Sequence, residues 1–92
     1  MLKVRYQARF KKDYKLMLRR GFRAELLEKL IGLLVTGKPL PPHYRDHALS
    51  GTYGSHRECH ITPDWLLIYK VESEILTLTC TRTGTHADLF GL

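Results

Sequence analysis

An α+β domain is predicted, with a helical hairpin packed on one face of a mainly antiparallel sheet. Three patterns lead there. Residues 2–7 alternate with a period of two, residues 9–36 carry two helical stripes separated by a glycine, and residues 55–82 return to period two between compact turn signals. The element order is thus strand, helix, helix and a three-strand meander, which leaves the sheet face opposite the helices open for function.

In the opening strand, residues 2–7, Leu2, Val4 and Tyr6 alternate with Lys3, Arg5 and Gln7, as one buried face requires. From Arg9 the period lengthens, with Phe10, Tyr14, Met17 and Leu18 at helical spacing and Lys11, Lys12, Lys15, Arg19 and Arg20 around them, until Gly21 stops the helix. A second helix is expected over Arg23 to Thr36, its stripe being Leu26, Leu27, Leu30, Ile31 and Leu34, with Gly37 as its C-terminal cap. KPLPPHY, residues 38–44, has three prolines in seven positions and reads as an extended connection. Ser55 to Thr62 then forms a strand, Pro63-Asp64 a turn, and Trp65 to Val71 a return strand whose two apolar faces mark it as central. After the VESE turn, a strand from Ile75 to Arg82 is expected to point Leu76, Leu78 and Cys80 inward and Thr77, Thr79 and Thr81 outward, and the tail RTGTHADLFGL then leaves the sheet.

Residues 1–92 read as one domain, because a chain of this size hides only about 60 to 65% of its unfolded surface and cannot divide into two cores. There is no apolar run of about 20 residues to span a membrane and no uninterrupted apolar stretch near Met1 to act as a secretory signal, so a cytoplasmic chain beginning at Met1 is expected. Cys59 and Cys80 lie on separate predicted strands outside any Cys-x-x-Cys pair and are expected to be reduced packing residues. The charge is uneven: residues 1–47 hold 12 Lys and Arg against 4 Asp and Glu, whereas residues 48–92 hold 3 against 5. A basic half suits a polyanionic partner, either nucleic acid or an acidic protein, although a solvated basic helix face produces the same count.

Polar side chains gather at strand ends: Asp46 and His47, Glu58 and His60, Asp64 in its turn, then Arg82, Thr83 and His86. Strand alternation puts His56, Glu58 and His60 on one face and Arg57, Cys59 and Ile61 on the other, so the first set faces away from the helices if the second faces them. Imidazoles titrate near 6.5, so several of them beside carboxylates suit proton transfer to and from oxygen, and RNA cleavage also needs a cation for the crowded phosphorane. His60, His86, His47 and Arg82 are residues of those types, and which histidine is acid and which is base stays open. Each histidine taken alone also fits a surface or turn residue. A metal site drawn from His47, His56, Cys59, His60 and His86 lacks compact repeated spacing, and Cys59 faces away from His60, so no metal or other cofactor is expected. Trp65 fits a core or rim anchor as well as a stacking platform, and Phe90, in a short polar tail, can stack on a nucleotide or dock on the core.

The combination of YRDHALSG, RECHITPDWLLIY and RTGTHADLFG resembles the YafQ-like branch of the RelE/ParE toxin superfamily, over nearly the whole chain. The resemblance implies the small α+β toxin fold and a metal-independent endoribonuclease, an mRNA interferase of a type II toxin-antitoxin system. Such a toxin enters the ribosomal A site, cuts the mRNA there, and is silenced by a cognate antitoxin. By motif position it implies catalytic roles for His47, His60, Asp64, Arg82 and His86 and substrate contacts for Phe90, Glu58 and Trp65. His60 and His86 would transfer protons with Asp64 assisting, Arg82 would stabilise the phosphate, and His47 and Phe90 would position substrate. The basic helices would grip rRNA, and an acidic, partly disordered antitoxin segment would wrap the basic half within a larger symmetric complex. The rivals are a gyrase-poisoning toxin of the same fold, which needs no proton-transfer set, and a non-catalytic RNA- or protein-binding module.

Overall fold

The computed structural model of the chain describes residues 1–91. Alternation at the N-terminus forms β1 (Lys3–Tyr6), and the two stripes form α1 (Ala8–Arg19) and α2 (Ala24–Leu34). Gly21, at φ +90°, ends α1: its N–H donates to the Leu18 carbonyl and that of Phe22 to the Met17 carbonyl, which caps two otherwise orphaned oxygens. Phe10 and Met17 of α1 and Leu27, Leu30 and Leu34 of α2 are buried, whereas Leu18, predicted to belong to the stripe, is exposed because it lies one position beyond the line through residues 10, 14 and 17.

Four strands complete the sheet: β2 (His47–Ala48), β3 (Arg57–Thr62), β4 (Trp65–Glu72) and β5 (Thr77–Gly84). Their order is β1-β5-β4-β3-β2, with β1 parallel to β5 and all other pairs antiparallel. The central position of β4 explains its two apolar faces. Trp65, Leu67 and Tyr69 join Leu78, Cys80, Cys59 and Tyr44 in the core beneath the helices, and each such side chain contributes about 1.5–3 kcal/mol by leaving water.

Several local expectations change. Residues 42–44 form one 3-10 turn within the proline-rich connection, and Arg45 follows it in the left-handed region at φ 51°. Leu76 is also left-handed, at φ 48°, and is exposed rather than inward, because a 3-10 turn at Ser73–Ile75 delays β5 to Thr77. Thr79, expected outward, is buried. β5 runs two residues past Arg82 because Thr81 is bulged: Tyr69 pairs with Cys80 but Ile68 with Arg82. The tail does not simply leave the sheet. It forms a short helix, α3 (His86–Phe90), and with the two-residue β2 this is the element the sequence did not announce.

The face opposite the hairpin is not bare, contrary to expectation. Glu58, Leu66 and Ile68 on it are at most 5% exposed. Tyr53, from the segment before β3, reaches Arg82, and α3 folds back against β5.

Candidate active site

Strand register assembles the first part of the site. Across β2, β3, β4 and β5, the residues His47, Glu58, Ile68 and Arg82 form one row, and His60, Leu66 and Gly84 form the next. Glu58 Oε1 therefore lies 3.6 Å from His47 Nε2 and 3.5 Å from His60 Nε2. The opposite ring nitrogens are tied to carbonyls: His47 Nδ1 is 2.7 Å from the Arg45 oxygen and His60 Nδ1 is 3.3 Å from the Pro63 oxygen. Since a carbonyl only accepts, each Nδ1 is placed to donate, and each Nε2 faces the buried Glu58 carboxylate.

The connection after the proline-rich stretch is fixed by Asp46. Its carboxylate takes the Arg57 guanidinium, at 3.1 Å from Nη2, and the Tyr69 hydroxyl. Burial first, and Asp46 second, push the Tyr69 hydroxyl above its ordinary range, so it stays a donor. Asp46 is thus structural, and its neighbour His47 is left half exposed at the sheet edge.

The second part comes from the turn after β3 and the end of β5. Asp64 Oδ1 accepts the His86 backbone N–H at 3.0 Å and faces His86 Nδ1 at 2.5 Å. The backbone bond, then the imidazole bond, hold the Asp64 carboxyl below the usual range, so it is ionised at neutral pH. The His86 ring is fixed by that bond, which leaves Nε2 as the ring nitrogen outside it. His86 and His60 rings lie 5.6 Å apart and His60 and His47 rings 6.4 Å apart. Three histidines from β2, β3 and α3 thus stand side by side, with Glu58 against the first two and Asp64 against the third.

A capping box holds α3: Thr85 Oγ1 accepts from the Asp88 N–H at 3.2 Å, and Asp88 Oδ2 accepts from the Thr85 N–H at 2.9 Å. Arg20, just past α1, adds a 2.7 Å bond to the same oxygen and is the leading reason why the Asp88 carboxyl is lowered to about 2.

Three assignments made from motif position change. Trp65 is fully buried, edge-on to Phe22, and donates through Nε1 to Thr83 Oγ1 at 2.9 Å, so it offers no face to a substrate and is a core anchor. Glu58 is buried between the His47 and His60 imidazoles, which leaves it little surface to offer a substrate. Arg82 is committed to Asp13, with Nε at 2.7 Å and Nη2 at 3.3 Å, while Nη1 is 3.4 Å from the Tyr53 hydroxyl; its charge is offset there. Beyond Cys80, β1 no longer pairs with β5, and Asp13 takes the Thr83 N–H in its place. Phe90 is 39% exposed on α3 and remains available for stacking.

His56 packs against the Tyr53 ring, apart from those three histidines. Cys59 and Cys80 are buried free thiols, and burial pushes Cys80 up to about 12. Among the described residues no cluster of three or more His, Cys, Asp or Glu side chains is arranged to hold a metal. No described helix is long and apolar enough to cross a membrane. Two residues not singled out from the sequence, His43 and Arg45, line a cleft of about 520 Å³ together with His60, Pro63 and His86. Their position immediately before the Asp46-His47 pair was the available signal.

A family model described as "Bacterial toxin of type II toxin-antitoxin system, YafQ" matches residues 2–91. The mRNA interferase toxin YafQ of Escherichia coli K12 is 42% identical over 89 residues, 96% of this chain and 95% of that protein. A metal-bound toxin from Helicobacter pylori superposes with a TM-score of 0.91 at 42% identity, covering 98% of this chain and all of that one. The E. coli DinJ-YafQ complex gives 0.90 at 40% identity, covering 99% and 100%. With the fold, the motifs and nearly the full length in agreement, this chain belongs to the YafQ family of toxins of type II toxin-antitoxin systems.

Proposed function

We propose that this protein is a ribosome-dependent endoribonuclease that cuts mRNA in the A site by general acid–base catalysis, acts in the cytoplasm, and is held inactive by a cognate antitoxin. The observation that carries this reading is the His86–Asp64 pair at 2.5 Å, standing beside His60 at a ring separation of 5.6 Å. Two imidazoles at that spacing can serve the two ends of one phosphodiester, which is what 2′-hydroxyl attack requires.

In the reaction, His60 Nε2 removes the proton of the 2′-hydroxyl, and the oxygen attacks phosphorus. The bond from phosphorus to the 5′-oxygen breaks, and His86 Nε2 delivers its proton to that departing oxygen. One fragment ends in a 2′,3′-cyclic phosphate and the other in a 5′-hydroxyl. Asp64 fixes the His86 ring and offsets its positive charge before transfer; Glu58 does the same for His60 afterwards. His47 stands beside His60 at the sheet edge, and Phe90 offers its ring to a neighbouring base. Acid and base both come from the chain, so no metal is given a part.

A domain this small has no deep cleft to align an RNA strand, and the ribosome supplies that alignment. The basic surface of α1, with Arg9, Lys12, Lys15 and Arg19 on it, suits rRNA phosphates. The E. coli relative is seen with DinJ, and an acidic antitoxin segment covering the basic half follows for this chain, within a larger symmetric assembly.

Replacing His60 or His86 with alanine, or Asp64 with asparagine, is expected to restore growth to cells producing the toxin. Cleavage by the purified variants on programmed ribosomes is expected to fall by about 10²-fold or more. Undiminished toxicity in all three refutes the proposal, and DNA breaks in place of new mRNA ends in the parent favour the gyrase alternative.

A further inference from the structure

The reaction leaves one requirement without a group. Negative charge grows on the scissile phosphate, and Arg82, the cation expected there, is bound to Asp13 at 2.7 Å. Asp13 is also fixed by the Thr83 N–H, so releasing Arg82 means leaving a partly buried carboxylate behind. Another cation lines the cleft that His60 and His86 line. This is Arg45, which is exposed and among the described residues makes no ion pair. Arginines 9, 20, 23, 57 and 82 each pair with an acidic side chain.

Backbone geometry separates Arg45 from an incidental surface residue. It is one of two described non-glycine residues at positive φ, at 51°, a conformation that side chains with a Cβ rarely adopt. The strain is held from both sides: its N–H bonds the Pro42 carbonyl at 3.0 Å, and its own carbonyl takes His47 Nδ1 at 2.7 Å. Next in sequence, Asp46 is clamped by Arg57 and Tyr69. The Arg45 carbonyl thus orients His47 while Arg45 itself lines the cleft, as does His43.

We propose that Arg45 is the phosphate-binding cation of this site, contacting the scissile phosphate or the one beside it, with His43 as a second donor on the same backbone. This rests on the nuclease reading and adds the residue that supplies its electrostatic part. Arginine suits the task because its forked donors match two oxygens of one phosphate.

The test uses Arg45→Gly in the full chain. Glycine accepts φ 51° without strain and keeps the carbonyl that His47 requires, so the variant is expected to fold with a melting temperature equal to or above that of the parent. Single-turnover cleavage on programmed ribosomes is expected to fall about 10- to 100-fold, the usual effect of losing a charged hydrogen bond. The slope of log(kcat/KM) against log salt is expected to become shallower by about 0.7, one single-strand phosphate contact. Arg45→Lys should recover the slope and part of the rate. If Arg45→Gly cleaves at the parental rate, or loses rate with no change in slope, while His86→Ala is inactive, the phosphate assignment is wrong and the nuclease reading stands. If His86→Ala and His60→Ala both cleave normally, the nuclease reading itself fails.

Discussion

Asp64 and His86 are 22 residues apart in the chain, yet one carboxylate oxygen receives both the backbone N–H and the ring nitrogen of the histidine. Such a doubly held imidazole has one orientation, which is the property a proton donor to a departing oxygen needs. Trp65, adjacent to Asp64, acts differently. Its ring lies in the core and its N–H meets Thr83 Oγ1, whose own proton goes to the Leu66 carbonyl at 2.6 Å, so three groups satisfy one another where β4 meets β5. Replacing Trp65 with phenylalanine is expected to lower stability by about 1–3 kcal/mol by breaking that chain and leaving a small void. Measured by thermal unfolding, the loss should appear as a lower melting temperature, while the cleavage rate well below it stays within a few-fold of the parent. A large rate loss with an unchanged melting temperature would return Trp65 to the substrate. The distinction was invisible in PDW alone, because an aromatic residue after a turn looks the same whether its ring points into the core or out of it.

Among the elements, α3 decides whether the site exists, since it carries both His86 and Phe90. Five residues are too few to be helical by propensity, so tertiary ties must hold the segment. Those ties are the Asp64 bonds to His86, the capping box, the Arg20–Asp88 pair and a close approach to β5: a Cβ on Gly84 would come within 2.9 Å of the Asp88 Cβ. The glycine of RTGTH is required by that contact rather than by its dihedral angles. The Asp88 carboxyl lies at about 2 against an ordinary 3.8, so its contribution is complete above about pH 4 and is lost as pH falls toward 2. Amide hydrogen exchange should therefore show α3 losing protection over that window while β4 and β5 stay protected. Gly84→Ala should produce the same loss at neutral pH, with a cost of about 1–3 kcal/mol from overpacking. Uniform protection of α3 down to pH 2 would show that Asp88 does not hold it. Periodicity could not reveal this helix, because five residues contain little more than one turn. For the same reason no periodicity announces β2, two residues long, although its register is what brings His47 against Glu58.

For the molecule as a whole, the longer elements were legible because each buries one regular stripe or face. WLLIY marked the central strand and Gly21 the end of α1, whereas α2 stops at Leu34 with Val35 as its cap, two residues short of the expected Gly37. What the sequence could not carry was the meeting of residues distant in the chain. The Thr81 bulge sets Arg82 opposite Ile68, and Asp13 takes its charge from 69 residues away. Arg45 became visible only once the cleft had walls. Charge is divided along the chain as well: residues 1–47, with 12 Lys and Arg against 4 acids, suit a polyanionic partner, and residues 48–92 carry His60, Asp64 and His86. The proposed mechanism makes the 2′-hydroxyl of the mRNA the nucleophile, with His60 and His86 serving its two proton transfers. The most direct measurement is end-group analysis of fragments released from programmed ribosomes carrying either an all-RNA A-site codon or one with a single 2′-deoxy nucleotide at the cut. The expected result is a 2′,3′-cyclic phosphate and a 5′-hydroxyl from the first and no cleavage at that position in the second. Cleavage of the deoxy substrate at a comparable rate would contradict the mechanism.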